Sequence, residues 1–179
     1  MDEEVDILDD EGNPTGTSTL KSEAHKKGLF HATVHVWCYT CDGQVLLQQR
    51  SALKEANPLK WDVSVAGHIG TGESPELAAF REVEEEIGVI IDRSQLQKIG
   101  LVKIEKKYSE IFWDREFTHT YLYELNQGTP LTKQESEVEA LQWVSLKEFE
   151  NLVQRNDERF VSNSKTRYTT VIEAIKSRL

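Results

Sequence analysis

Between Phe30 and Thr40 the chain reads FHATVHVWCYT, crowded with β-branched and aromatic residues, which predicts a strand. Asp42-Gly43 follows as a hairpin-turn signal, and QVLLQQR, Gln44 to Arg50, predicts the returning strand of that hairpin. Val5 to Leu8 reads as a shorter strand that stops at the turn-rich DDEGNPTG. SALKEANPLKW reads as a loop, and WDVSVAG as a short strand ending at Gly67. Ser74-Pro75 opens a helix, with Ser as N-cap and Pro at the first helical position, and Gly88 closes it. LQKIGLVKIEKKY, EFTHTYLYEL and VEALQWVS predict three further strands. SLKEFENLVQR predicts a helix capped by Ser145, with Leu146, Phe149, Leu152 and Val153 at helical spacing. A last helix is expected from about Lys165 to Leu179. Mixed strands with one helix in mid-chain and two at the end give an α/β (α+β) class, read as a single domain over residues 1–179.

Composition is that of an ordinary globular chain, with 38% hydrophobic and 29% charged residues. The net charge of −10 disfavours a nucleic-acid partner, because binding a phosphate backbone needs clustered Lys and Arg. No apolar run approaches the length of about 20 residues that spans a bilayer, so no membrane partner is expected. The opening MDEEVDILDD is acidic where a signal peptide is basic and then apolar, so the expected location is cytoplasmic. The C-x-x-C of Cys38 and Cys41 runs straight into the Asp42-Gly43 turn and does not open a helix, so it reads as two cysteines at a strand end.

The segment from Ser74 to Ile87 concentrates like charge, with four glutamates from Glu82 to Glu86 interrupted only by Val83. On a helical wheel Leu77, Phe80, Val83 and Ile87 share one side, the expected core face, while Glu82, Glu85 and Glu86 gather nearly opposite and Glu84 turns away. A solvated acidic face is one reading. Against it, like charges at these spacings cost roughly 0.2–0.5 kcal/mol per pair, and Arg81 is the only basic residue from Gly67 to Val89 apart from His68. Three converging carboxylates offer an oxygen-rich site for a hard cation such as Mg²⁺ or Mn²⁺, which is the other reading.

The spacing itself is specific. Gly67, five residues, Glu73, seven residues, then Arg81-Glu82-Val83-x-Glu85-Glu86-x-Gly88-Val89 resembles the Nudix box, G-x5-E-x7-R-E-U-x-E-E-x-G-U with U aliphatic, at every specified position. The resemblance implies the Nudix fold, a mixed β-sheet between α-helices, and hydrolysis of a small-molecule diphosphate such as a nucleoside diphosphate linked to X. It implies Glu82, Glu85, Glu86 and the Gly67 backbone as the Mg²⁺ (or Mn²⁺) site, with Glu73 and Arg81 bracing it.

Outside the box the chain resembles the isopentenyl diphosphate isomerases and the hydrolases related to them, from about Leu20 onward. AHKKGLFHATVHVW resembles the isomerase segment with two metal-binding histidines, here His25 and His31, although the loop between them is one residue shorter. LLQQRSALK resembles the diphosphate-binding stretch, implicating Arg50 and Lys54. WDVSVAGHIG places His68 at a further metal ligand, and Asp114 and Glu116 fall where the isomerases carry a metal ligand and a catalytic acid. The resemblance therefore implies a second metal site from His25, His31, His68, Asp114 and Glu116. Two departures oppose isomerase activity. Ala66 stands where the isomerases need a proton-carrying cysteine, and the box is complete where theirs is degraded. Hydrolysis is the leading expectation; an isomerase acting on a prenyl diphosphate and a non-catalytic nucleotide sensor are the alternatives. The resemblance implies a general base either within the box, Glu85 or Glu86, or outside it, Glu116, Glu135 or Glu137. His35 and His119 read as structural. The oligomeric state, a homodimer included, is left open.

Overall fold

The strand predicted at Phe30 is the hub of the sheet. The computed structural model describes residues 2–161 and 165–179. In it β3 (Phe30–Tyr39) runs through the middle of the molecule. Its even positions Val34, Val36 and Cys38 pack with Ala78, Ala79, Val83 and Ile87 of α2 (Pro75–Ile87). Its odd positions Trp37 and Tyr39 pack with Phe149 of α3 (Leu146–Gln154) and with Tyr168, Val171, Ile172 and Ile175 of α4 (Lys165–Lys176). A strand buried on both faces reads as a near-continuous apolar run, which is why the alternation is muted here. The sheet thus lies between α2 on one face and α3 and α4 on the other.

One edge of β3 pairs in parallel with β8 (Phe112–Glu124), from His31 opposite Glu116 to Tyr39 opposite Glu124, and β7 (Gln97–Ser109) runs antiparallel outside β8. The other edge is shared along its length. β1 (Glu4–Leu8) takes Phe30 and His31, β6 (Val65–His68) takes Thr33 to Val36, and β4 (Gln44–Arg50) takes only Tyr39. The expected β3–β4 hairpin therefore forms only next to its turn and then splays. Ser64 fills the gap: its hydroxyl accepts from Cys38 N at 2.8 Å and donates to Leu46 O at 2.6 Å. Freed from β3, β4 pairs with β9 (Val138–Ser145) and the two-residue β5 (Trp61–Asp62).

Elements beyond those the sequence predicts also form, β2 (Pro14–Leu20) and α1 (Lys21–Lys27) among them. β2 pairs antiparallel with β1, and α1 follows directly. β2 is almost wholly exposed, so it has no apolar alternation to betray it. α1 is shorter than a helix that stands on its own propensity, and tertiary contacts with β8 and β1 hold it. Cys38 is buried and Cys41 exposed, both as free thiols at the strand end. Among the described residues no helix is long and apolar enough to cross a membrane.

Phe149 is fully buried and its ring lies 5.4 Å from that of Trp37 and 5.6 Å from that of Tyr168. Phe149→Ala is expected to cost about 3–5 kcal/mol of unfolding free energy, read from urea denaturation. A loss below about 1 kcal/mol would contradict this packing.

Candidate functional site

The glutamate helix sits differently from the wheel's expectation. The Ser74 hydroxyl caps it by accepting from Leu77 N at 3.2 Å, and Gly88 ends it at φ +72°. Its buried stripe is Ala78, Ala79, Glu82, Val83, Glu86 and Ile87, while Leu77 is 43% exposed. The expectation that Leu77 faces the core and that Glu82 and Glu86 face away from it is thus corrected. The physical reason is a close approach between α2 and β6. Small Ala78 and Ala79 let the helix come down on the sheet, and Gly67 leaves a gap that Glu82 fills. A Cβ on Gly67 would stand 1.9 Å from Glu82 Cδ. Glu85 remains largely in solvent, with its side chain 47% exposed, so the three carboxylates are two buried and one at the rim.

Buried like charges raise each other's proton affinity. Burial and then the neighbouring Glu86 push the Glu82 carboxyl up to about 7, and burial also raises Glu86. Arg81 offsets part of this repulsion. Its Nη1 donates to Glu82 Oε1 at 2.7 Å and to Glu85 Oε2 at 3.4 Å, and its Nε and Nη2 donate to the two oxygens of Glu73 at 3.1 and 2.9 Å. Nη2 also donates to His68 O at 2.9 Å, and Glu73 accepts from Gly70 N at 3.0 Å. Arg81 and Glu73 thereby tie the helix to the loop that carries Gly67 and His68. Glu86 Oε2 accepts from Gln48 Nε2 at 2.8 Å and from Ala66 N at 3.1 Å. The sequence gives one signal for Gln48, an amide directly after the apolar Val45-Leu46-Leu47 of QVLLQQR.

The histidines gather on the other side of β6. His25 on α1, His31 on β3, His68 on β6 and Glu116 on β8 offer ligand atoms all within 4.8 Å of one another. Parallel pairing sets Glu116 directly opposite His31, and the pleat of β6 turns His68 toward them while Gly67 faces α2. His31 Nδ1 is 3.0 Å from Leu29 O, whereas His31 Nε2 is buried with no hydrogen-bond partner. An orphaned imidazole nitrogen aimed into a cluster of two histidines and a carboxylate fits a bound cation, and the N₃O donor set suits a borderline divalent ion. Burial holds His31 down at about 4 and lowers His68 well below the usual range, so both are neutral and ligand-competent. Burial and then Asp114 push Glu116 upward. Asp114 stands beside this group, with Oδ1 3.3 Å from His25 Nδ1.

Both groups open on one cleft of about 500 Å³, which Arg50 and Lys54 also line. Arg50 Nε donates to Ala56 O at 3.0 Å, and among the described residues the guanidinium makes no ion pair. Lys54 is paired with Glu137, a contact not anticipated from the sequence. Glu135 points to solvent and pairs with Lys133 at 2.8 Å, away from the cleft. His35 lies in a buried network with Arg167 and Asp62 at the cleft wall, Arg167 Nη1 being 3.3 Å from His35 Nδ1 and Nη2 2.5 Å from Asp62 Oδ1. His119 lies outside the cleft, next to Lys98.

Comparison with known proteins gives the family and the fold. A family model described as the NUDIX domain matches residues 29–163. Nudix hydrolase 3 of Arabidopsis thaliana is 36% identical over 89% of the chain, and an uncharacterized Nudix hydrolase of Listeria monocytogenes is 34% identical over 84%. An isopentenyl-diphosphate Delta-isomerase of Serratia proteamaculans is 29% identical over 89% of the chain and 86% of its own length. The match covers 84% of the Listeria protein but 21% of the Arabidopsis one. Among solved structures, one from Deinococcus radiodurans superposes with a TM-score of 0.71 at 20% identity, covering 93% of this chain and 98% of that one. The NUDIX domain of Shewanella oneidensis NrtR, complexed with ADP ribose, gives 0.59 at 19%, covering 82% and 86%. At these identities the likeness is one of fold.

The raised carboxyl of Glu82 links stability to pH. Its folded pKa of about 7 lies above 4.5, so the folded state holds a proton that the unfolded chain releases. Stability from this group is full below pH 4.5 and is lost as pH rises toward 7. His31, held at about 4, has the opposite sign and loses stability as pH falls from 6.5. A cation bound at Glu82 and Glu86 would replace the proton, so Mg²⁺ against EDTA at fixed pH is expected to raise the melting temperature more at pH 8 than at pH 5. An equal or larger rise at pH 5 would contradict the assignment.

Proposed function

Since this chain belongs to the Nudix family, we propose that it is a divalent-cation-dependent pyrophosphohydrolase that cleaves a diphosphate linkage in a small nucleotide-type or related substrate. The observation that carries this reading is buried Glu82, seated against the side-chain-free Gly67, beside buried Glu86, on a cleft also lined by Arg50, whose guanidinium makes no ion pair among the described residues. Two buried carboxylates are costly alone and become favourable with a hard cation, for which Mg²⁺ or Mn²⁺ is the match. Glu85 completes the oxygen set from the rim. A cation held there supplies charge neutralisation of the diphosphate and a more acidic water.

The chain's own residues do the rest. Arg50 binds the diphosphate with a forked, charge-assisted contact, and Lys54 adds a point charge beside it. Arg81 and Glu73 hold Glu82 in place. A carboxylate takes the proton of the attacking water, with Glu85, Glu86 and Glu116 as the candidates. The second cation site is His25, His31, His68 and Glu116, with Asp114 beside His25.

Glu86→Gln is expected to cut turnover by two orders of magnitude or more while far-UV circular dichroism stays unchanged. The substrate is sought by chromatographic detection of the cleavage products formed with Mg²⁺ from nucleoside diphosphate sugars, ADP-ribose, dinucleoside polyphosphates, nucleoside triphosphates, thiamine diphosphate and prenyl diphosphates. Full activity in Glu86→Gln, on whichever compound is cleaved, would remove the metal assignment. Binding of one of them without cleavage would favour a sensor.

A second reading, isomerisation of a prenyl diphosphate, is favoured by the assembled histidine cluster and by the Serratia relative. Ala66 opposes it, because the residue at that position moves no proton. NMR in deuterated water is expected to find no solvent deuterium exchanged into isopentenyl diphosphate; incorporation would reverse the order of the two readings.

A further inference from the structure

Lys54 does not wait in the cleft as a free cation. Its ammonium is paired with the carboxylate of Glu137, and both side chains are about one-third exposed at the cleft rim. Glu137 is held there by its backbone. Its carbonyl accepts from Ser51 N at 2.9 Å, and its N–H donates to Gln134 O at 3.0 Å. Gln134 N in turn donates to Glu86 O at 3.0 Å, and Thr132 N to Ile87 O at 2.9 Å, so this loop is stitched to the C-terminal end of the glutamate helix. The Ser51 contact ties the same loop to the segment that carries Lys54. Glu137 is thus placed from both sides to meet Lys54.

We propose that Glu137 is a positioning residue that occupies the place of a substrate anion, and that the diphosphate takes Lys54 from it on binding. The inference rests on the reading of Lys54 as part of the diphosphate grip. The exchange swaps one charge-assisted contact for another and leaves Glu137 free at the rim. It keeps Lys54 extended over the cleft, where an unpaired lysine would sample many rotamers, and this ordering gain is smaller than the cost of displacing the carboxylate from Lys54. It also sets a threshold: an anion must compete with a tethered carboxylate, which a diphosphate carrying several charges does better than a monoanion. Glu137 therefore acts on discrimination between anions as well as on affinity.

The test is calorimetric titration of methylenediphosphonate, a diphosphate that is not hydrolysed, in the presence of Mg²⁺. Four proteins are compared: the unaltered chain, Glu137→Gln, Lys54→Ala and the double variant. Glu137→Gln, which leaves the backbone contacts intact, is expected to tighten binding roughly two- to fivefold, the scale of a partly exposed ion pair. Lys54→Ala is expected to weaken it by about tenfold or more. In the Lys54→Ala background, Glu137→Gln is expected to change nothing. Unchanged or weaker binding in Glu137→Gln, with Lys54→Ala still impaired, would overturn the exchange and leave the grip standing. Equal tightening in both backgrounds would make Glu137 a general repulsive charge and overturn the exchange as well. No effect of Lys54→Ala would instead overturn the grip, and with it the exchange. Glu137→Ala serves as a second variant with the same expectations should Glu137→Gln fold poorly, judged by its melting temperature.

Discussion

Two carboxylates brought out of water beside each other are the constraint around which this molecule is organised. Glu82 and Glu86 are 7% and 2% exposed, and an apolar side chain at either position would pack there at less cost. Their surroundings offset the repulsion piece by piece. Arg81 lies against Glu82, and Gln48 and the Ala66 amide donate to Glu86. Gly67 gives the space without which Glu82 would be expelled. What these partners leave uncompensated is negative potential directed at the cleft. The fold thus stores an unfavourable interaction that a bound cation would relieve.

β6 then divides the chemistry. Consecutive residues of a strand face opposite ways, so Gly67 belongs to the carboxylate side and His68 to the histidine side. Arg81 spans the division by reaching past Glu82 to the carbonyl of His68. Four residues thus place two donor sets of different character beside one cleft, one hard and oxygen-rich, the other dominated by imidazole. The split between β3 and β4, held open by Ser64, gives Gln48 access to Glu86.

Much of this was legible in the sequence, and unevenly so. The fold class, the central strand, the capped glutamate helix and the spacing of Gly67, Glu73, Arg81 and the glutamates all rest on local signals, which a chain carries in order. The histidine group was readable only through resemblance, because His25, His31, His68 and Glu116 come from four separate elements. Hydrophobicity alone misplaces the orientation of the helix: a wheel cannot tell that Ala78 and Ala79 pack closest or that Gly67 makes room for a carboxylate. β2 escaped notice because an exposed edge strand has no buried face to pattern. Glu137 was visible only as one of several downstream glutamates, since its partner lies on a loop more than eighty positions earlier in the chain.

The parallel alignment of β3 with β8 also governs when the cleft comes into being as the chain folds. Thr33 and Thr118, hydrogen-bonded at 2.9 Å, are 85 residues apart in sequence, and the same alignment seats Glu116 opposite His31. Contacts of such long range carry a loop-closure cost that must be met before they reward the chain, which slows their formation. The glutamate helix and the strand before it can assemble from neighbours in sequence, while the carboxylate of the histidine group must wait for the far half of the chain. A nascent chain released up to Val89 would already carry its whole acidic box, yet would lack Glu116 and any strand to set it against His31.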